Sequence, residues 1–168
     1  MAGLMDELIM TLNDELQIYK DLIPISDTKS GVIISNNVAE LERITEKEQI
    51  IAENLGRLEK KRERIMADIR TVLSKRNSEL KLDELIGLME KQPESQKQLI
   101  AVRKELKETI GRLKMLNDRN QKLITESLSI SEYQLNMIRS AKSYIGNNYT
   151  RSAGQFNMAC AGAFDARQ

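Results

Sequence analysis

Histidine and tryptophan are absent from these 168 residues, and cysteine occurs once, as Cys160. Without histidine the chain lacks both the commonest general base and the commonest metal ligand. A single cysteine excludes an intramolecular disulfide and any Cys-rich zinc site, and it fits a reducing compartment. Aromatic residues make up only 4% of the chain. A compact globular core draws on more large rings than that, so the core expected here is a thin seam of Leu, Ile and Met between helices. Nor is there a surplus of charge: 26 basic and 25 acidic side chains leave +1. Phosphate binding needs positive charge concentrated on one face. The densest basic run, Lys60-Lys61-Arg62-Glu63-Arg64, has Glu59 and Asp68 beside it and reads as a solvated helix face. No nucleic-acid partner is expected. The aliphatic run Val32-Ile33-Ile34 is far too short to span a bilayer, so no membrane insertion is expected either. Asp6 and Glu7 interrupt the early apolar stretch, and the first basic side chain is Lys20. That is not the pattern of a secretory leader, and the expected compartment is the cytoplasm.

Groups that do chemistry lack partners. Ser127, Ser129 and Ser131 alternate with no histidine anywhere to activate them. Carboxylates such as Glu42 and Glu46 come together through helix spacing alone. No Gly-rich phosphate loop or dinucleotide fingerprint is present. The expectation is a protein that is not an enzyme, with no catalytic residue, cofactor, metal or small-molecule ligand.

What the chain does contain is helix. Hydrophobic residues are 40% and charged residues 30%, and apolar residues recur at three- and four-residue spacing almost throughout. The fold class predicted is all-α: an elongated antiparallel three-helix bundle or coiled coil, with a short connecting helix and a flexible C-terminal tail. The bundle is assigned to 1–146 and the tail to 147–168. The helices are placed at about 2–23, 37–75, 81–90 and 93–145. Pro24 limits the first, since proline lacks the N–H that a continuing helix uses; 25–35 reads as a kinked continuation or a short helix of its own. Asn37, with Glu40 three residues on, is the N-cap of the second, and Pro93 opens the last.

The second helix carries a seam through Val38, Leu41, Ile44, Glu48, Ile51, Leu55, Leu58, Arg62, Ile65, Ile69 and Val72, almost all in the 3-4 alternation of a coiled coil. The last carries Leu99, Val102, Leu106, Thr109, Leu113, Leu116, Asn120, Leu123, Ser127 and Ile130, widened by Ile110, Asn117, Ile124, Leu128 and Leu135. A stripe that wide predicts two neighbouring helices. Polar Glu48, Arg62 and Asn120 stand where Leu would be more stabilising. Setting register is the best-attested role of such residues; a bundle loose enough to admit another helix is the sharper alternative. At 1.5 Å per residue the second helix reaches about 57 Å and the last about 78 Å, so apolar surface from around Ile130 onward is expected to outrun its partner.

Four stretches, in order, resemble the FlgN family of flagellar export chaperones. They are Glu15-Leu16-Gln17-Ile18-Tyr19-Lys20-Asp21-Leu22, the run Leu58 to Ile65, Leu116-Asn117-Asp118-Arg119-Asn120-Gln121-Lys122-Leu123-Ile124, and Leu135-Asn136-Met137-Ile138 through Tyr144 and Gly146. The resemblance covers about residues 4 to 150. It implies a cytoplasmic chaperone that binds the C-terminal helical region of hook-associated proteins, those of the hook–filament junction. It further implies that the chaperone prevents premature assembly and delivers the client to the flagellar type III export gate and its ATPase complex. Ile124, Leu128, Tyr133, Leu135, Ile138 and Tyr144 are the candidate client-binding residues, with Glu48, Arg62, Asn117 and Asn120 as orienting residues of the seam. Two readings stand for the tail: it stays flexible, or Phe156 and Phe164 fold back on the empty groove before a client arrives. The competing class is a structural or adaptor coiled coil that buries the same stripe in a permanent homodimer or complex. Ser127, Ser131 and Gln134 interrupt the aliphatics in the final third, which favours reversible binding.

Overall fold

The computed structural model describes residues 2–73, 80–89 and 92–149, with side chains from residue 3 to residue 142 of these. It is all-α, with no strand among the described residues: α1 (Ala2–Ile34), α2 (Val38–Val72), α3 (Leu82–Leu88) and α4 (Pro93–Tyr149). The chain divides into two compact units, Met1–Ser127 and Leu128–Gln168, and α4 contributes to both. The division thus falls within α4 and not at its end.

The first unit is a helical bundle, as the spacing predicts. Glu15 pairs with Arg62 and Lys29 with Glu48, so numbers rise along α1 as they fall along α2. Lys20 pairs with Glu105, and Ser30 bonds Asn120, so α4 runs parallel to α1. The order is up-down-up. Met5, Leu8, Leu12 and Leu16 of α1 pack with Ile65 and Ile69 of α2 and with Leu99, Val102 and Leu106 of α4. Each such side chain contributes on the order of 1.5–3 kcal/mol through burial. Leu80, Leu85 and Met89, within and beside α3, join the same cluster. An Asp83–Arg103 ion pair and a bond from Gln96 Nε2 to the Ile86 carbonyl (2.8 Å) tie α3 to α4.

Pro24 does not end α1, contrary to the expectation of a helix over 2–23. The helix continues to Ile34. An interior proline costs about 3 kcal/mol by removing one hydrogen bond and crowding the preceding turn. Pro24 is exposed, so that defect faces water. Beyond it Ser26, Ser30 and Ile33 are buried, and their packing holds the helix on course. Termination comes at Asn36, whose φ of 53° is left-handed. Its N–H donates to Ile33 O (3.0 Å) and that of Asn37 to Val32 O (3.2 Å), the paired bonds of a Schellman close. The Asn37 side chain then accepts from Glu40 N at 3.2 Å and caps α2. One asparagine pair therefore stops one helix and starts the next.

α2 ends at Val72, short of the expected 75, and Pro93 opens α4 as predicted. α4 runs on to Tyr149, past the expected 145, so the first residues assigned to the tail are helical. The rest of that assignment, with Cys160 and the fold-back of Phe156 and Phe164, lies outside the described residues.

Candidate partner-binding helix

On α2 the predicted seam is buried at Ile44, Ile65 and Ile69, but its ends, Val38 and Val72, lie exposed beyond the reach of the neighbouring helices. The polar residues Glu48, Arg62, Asn117 and Asn120 each bond to α1. Burial pushes the Glu15 carboxyl above its ordinary pKa, the hydrogen bond and charge of Arg62 pull it back, and the charge of Glu59 adds to the rise. Arg62 Nε stands 2.9 Å from Glu15 Oε1, and the arginine is half-buried while the carboxylate is almost fully enclosed. Tyr19 lies in the same field: burial, then Glu59 and Glu15, raise its phenol, and Arg62 opposes them. Lys29 Nζ lies 2.6 Å from Glu48 Oε2.

Further along, Ser26, Ser30 and Asn120 are all buried. Ser30 Oγ donates to Asn120 Oδ1 at 2.5 Å, and Asn120 Nδ2 donates to the Ser26 carbonyl at 2.7 Å. Ser26 Oγ reaches Asn117 Oδ1 at 3.4 Å. The partners Glu15, Ser26, Lys29 and Ser30 were not singled out from the sequence. Ser26 and Ser30 stand one helical turn apart, and Ile33 continues their row. That row would have been visible had Pro24 not been taken as a stop.

On α4 the predicted seam buries Leu99, Val102, Leu106, Leu113 and Asn120 and is half-buried at Thr109, Leu116, Leu123 and Ser127. The widening stripe fails as core: Ile110 and Asn117 are exposed. The buried face of α4 in this unit is thus narrower than the sequence implies, because its covered register follows the single row that meets Ser26 and Ser30. Ile124 is half-buried and lines a groove of about 320 Å³ where α1, α2 and α4 approach, with Leu22, Lys29, Glu48 and Leu113.

In the second unit every residue with a described side chain, Leu128 to Lys142, is exposed. Leu128 is 64% exposed, Tyr133 65%, Leu135 52% and Ile138 55%, so none of the four belongs to the core formed by the described residues. Ile130 and Met137 are comparably open. Ile130 closes the predicted seam and also marks where apolar surface is expected to outrun its partner, and its exposure agrees with the second of these. Tyr144 lies on the helical backbone of α4, outside the described side chains. The proposed set therefore separates: Ile124 lines the bundle groove, while Leu128, Tyr133, Leu135 and Ile138 stand open to solvent.

The sequence model of one family, described as FlgN protein, matches residues 1–155. The chain belongs to the FlgN family of flagellar export chaperones. In this FlgN-family chain the match takes in all four helices and the whole exposed run of α4. No curated protein and no solved structure matches it. Among the described residues no group of three or more His, Cys, Asp or Glu could hold a metal ion. None of the described helices is long and apolar enough to cross a membrane.

Proposed function

We propose that this flagellar export chaperone acts in the cytoplasm and binds the C-terminal helical region of an unassembled hook-associated protein on α4. The bound client is thereby kept from premature assembly and is delivered to the export gate. One observation carries the choice of site: the run of open aliphatic and aromatic side chains from Leu128 to Ile138 on a helix with no described side chain buried beyond Ser127. A subunit destined to polymerise has an amphipathic terminal helix, and an open apolar helix face can cover it. Monomeric proteins rarely leave contiguous apolar patches in water without such a use. The bundle of the first unit is closed over its own core.

Calorimetry and light scattering with a purified hook-associated protein test this directly. Leu135→Ser should weaken binding roughly 10- to 100-fold, the worth of one buried aliphatic side chain. The melting temperature should not move, since Leu135 contributes nothing to the core. A tight homodimer that binds no client would sink the proposal and favour a permanent coiled-coil assembly.

A further inference from the structure

The six large apolar side chains described between Leu128 and Ile138 do not share one face. At about 100° per residue, Leu128, Leu135 and Ile138 fall within an arc of about 80°, and Ile130, Tyr133 and Met137 within about 60° on the opposite side. All six are more than half exposed. Ser129, Glu132, Asn136, Arg139 and Ser140 separate the stripes along one flank, and Gln134 and Ala141 along the other, while Ser131 and Lys142 fall within the arc of the first stripe. A helix that packs against one neighbour carries one apolar stripe; two opposed stripes serve a helix enclosed from both sides.

Area decides what can enclose it. Each open side chain offers on the order of 100 Å² of apolar surface, so one stripe offers about 300 Å². Stable interfaces bury about 800 Å² per partner, of which roughly 450 Å² is apolar; one stripe falls short of that apolar share and both together exceed it. A second copy of this chain would bring the same two stripes. A two-fold pairing that covers one leaves the other open on both copies.

If α4 is the client-binding helix, as proposed above, a single amphipathic client helix leaves half of its apolar surface in water. We infer that one client chain supplies two amphipathic helical segments that bracket residues 128–138. One segment lies against Leu128, Leu135 and Ile138, the other against Ile130, Tyr133 and Met137. The client is then recognised as a pair of helices, and α4 takes the place of a missing third.

The test uses the full-length chain and a full-length hook-associated protein of the hook–filament junction from the same organism. Two double variants, Leu135→Ser with Ile138→Ser and Tyr133→Ser with Met137→Ser, should each weaken binding roughly 100-fold. Against a peptide of the client's last helix alone, only one of the two should matter. A photo-crosslinking residue placed at 135 and, separately, at 137 should mark two different client segments. Circular dichroism of each variant verifies that the helix is retained. If only one double variant weakens the full-length client, or both crosslinks fall on one client segment, the two-segment grip is overturned while the client-binding site stands. Crosslinks from either position to a second copy, or to residues 150–168 of the same chain, overturn it too and assign that stripe elsewhere. If neither double variant changes affinity, the client-binding site on α4 falls with it.

Discussion

The two ends of the bundle are built from different materials. Around Met5 to Leu16 the three long helices and α3 meet in a dry cluster of Leu, Ile, Val and Met. Beyond Pro24 the same helices meet through Ser26, Ser30, Asn117 and Asn120, with the Lys29–Glu48 pair beside them. The first end derives its stability from buried area, which is large and indifferent to direction. The second gains little net free energy, because each hydrogen bond replaces one to water. In exchange it fixes one register, since Asn120 finds both its partners in a single alignment of α1 with α4. Stability and alignment are thus supplied at separate places along the same helices.

Substitutions should expose this division most plainly in the dry end. Leu99→Ala, at a side chain with no solvent exposure, should cost about 3 kcal/mol, read from the denaturant midpoint at constant m-value.

The Glu15–Arg62 pair, near the boundary between the two ends, should come next. Arg62→Met leaves a buried carboxylate without its cation and should cost about 2 kcal/mol at pH 7, less at pH 5. The pH dependence has a definite sign. Burial raises the Glu15 pKa in the folded protein above its ordinary 4.5, so the folded state holds that proton more tightly. Its contribution is complete below the unfolded value and is lost as pH rises through the folded one. Glu15→Gln cannot ionise and should show a smaller fall of midpoint over that window than the wild type. An equal or steeper fall would contradict the assignment.

The polar end should give the smallest effect and a reversal. Asn120→Ala removes two bonds and strands the Ser30 hydroxyl, at about 1–2 kcal/mol. Asn120→Leu combined with Ser30→Ala removes both polar partners and should match or exceed wild-type stability. A double variant less stable than Asn120→Ala alone would show that the polar layer is a source of stability after all.

Much of the bundle was legible because its signals are local. The 3-4 spacing of α2 and α4, the cap at Asn37 and the opening at Pro93 each depend on neighbours within a turn or two. The course of α1 was not legible. A proline penalty is written in the sequence at one position, but the burial of Ser26, Ser30 and Ile33 that outweighs it depends on helices distant along the chain. The candidate site shows the same limit. Leu113 and Leu128 have identical side chains at comparable spacing, yet one is buried and the other open, and periodicity cannot tell a covered stripe from an uncovered one. Nor does a pooled set of apolar residues show that Tyr133 faces away from Leu135; helix geometry separates them at about 100° per residue, but the separation gains meaning only once both faces are seen to be open.

The asparagine turn at 36–37 has a consequence for the order of assembly. Contacts between α1 and α2 close across a connection of three residues, 35–37, whereas those between α1 and α4 join positions 85 to 94 apart in sequence. Short closures carry the smaller entropy penalty and form first. On a ribosome the α1–α2 hairpin is complete before α4 has been synthesised, so the α1 surface that later receives α4 must wait in water. Pulse-labelled amide exchange during refolding should protect the hairpin ahead of residues 99–120. Serines at 26 and 30 suit that interval better than leucines would, because a half-built hairpin with a wet polar flank has less to offer a passing hydrophobic chain.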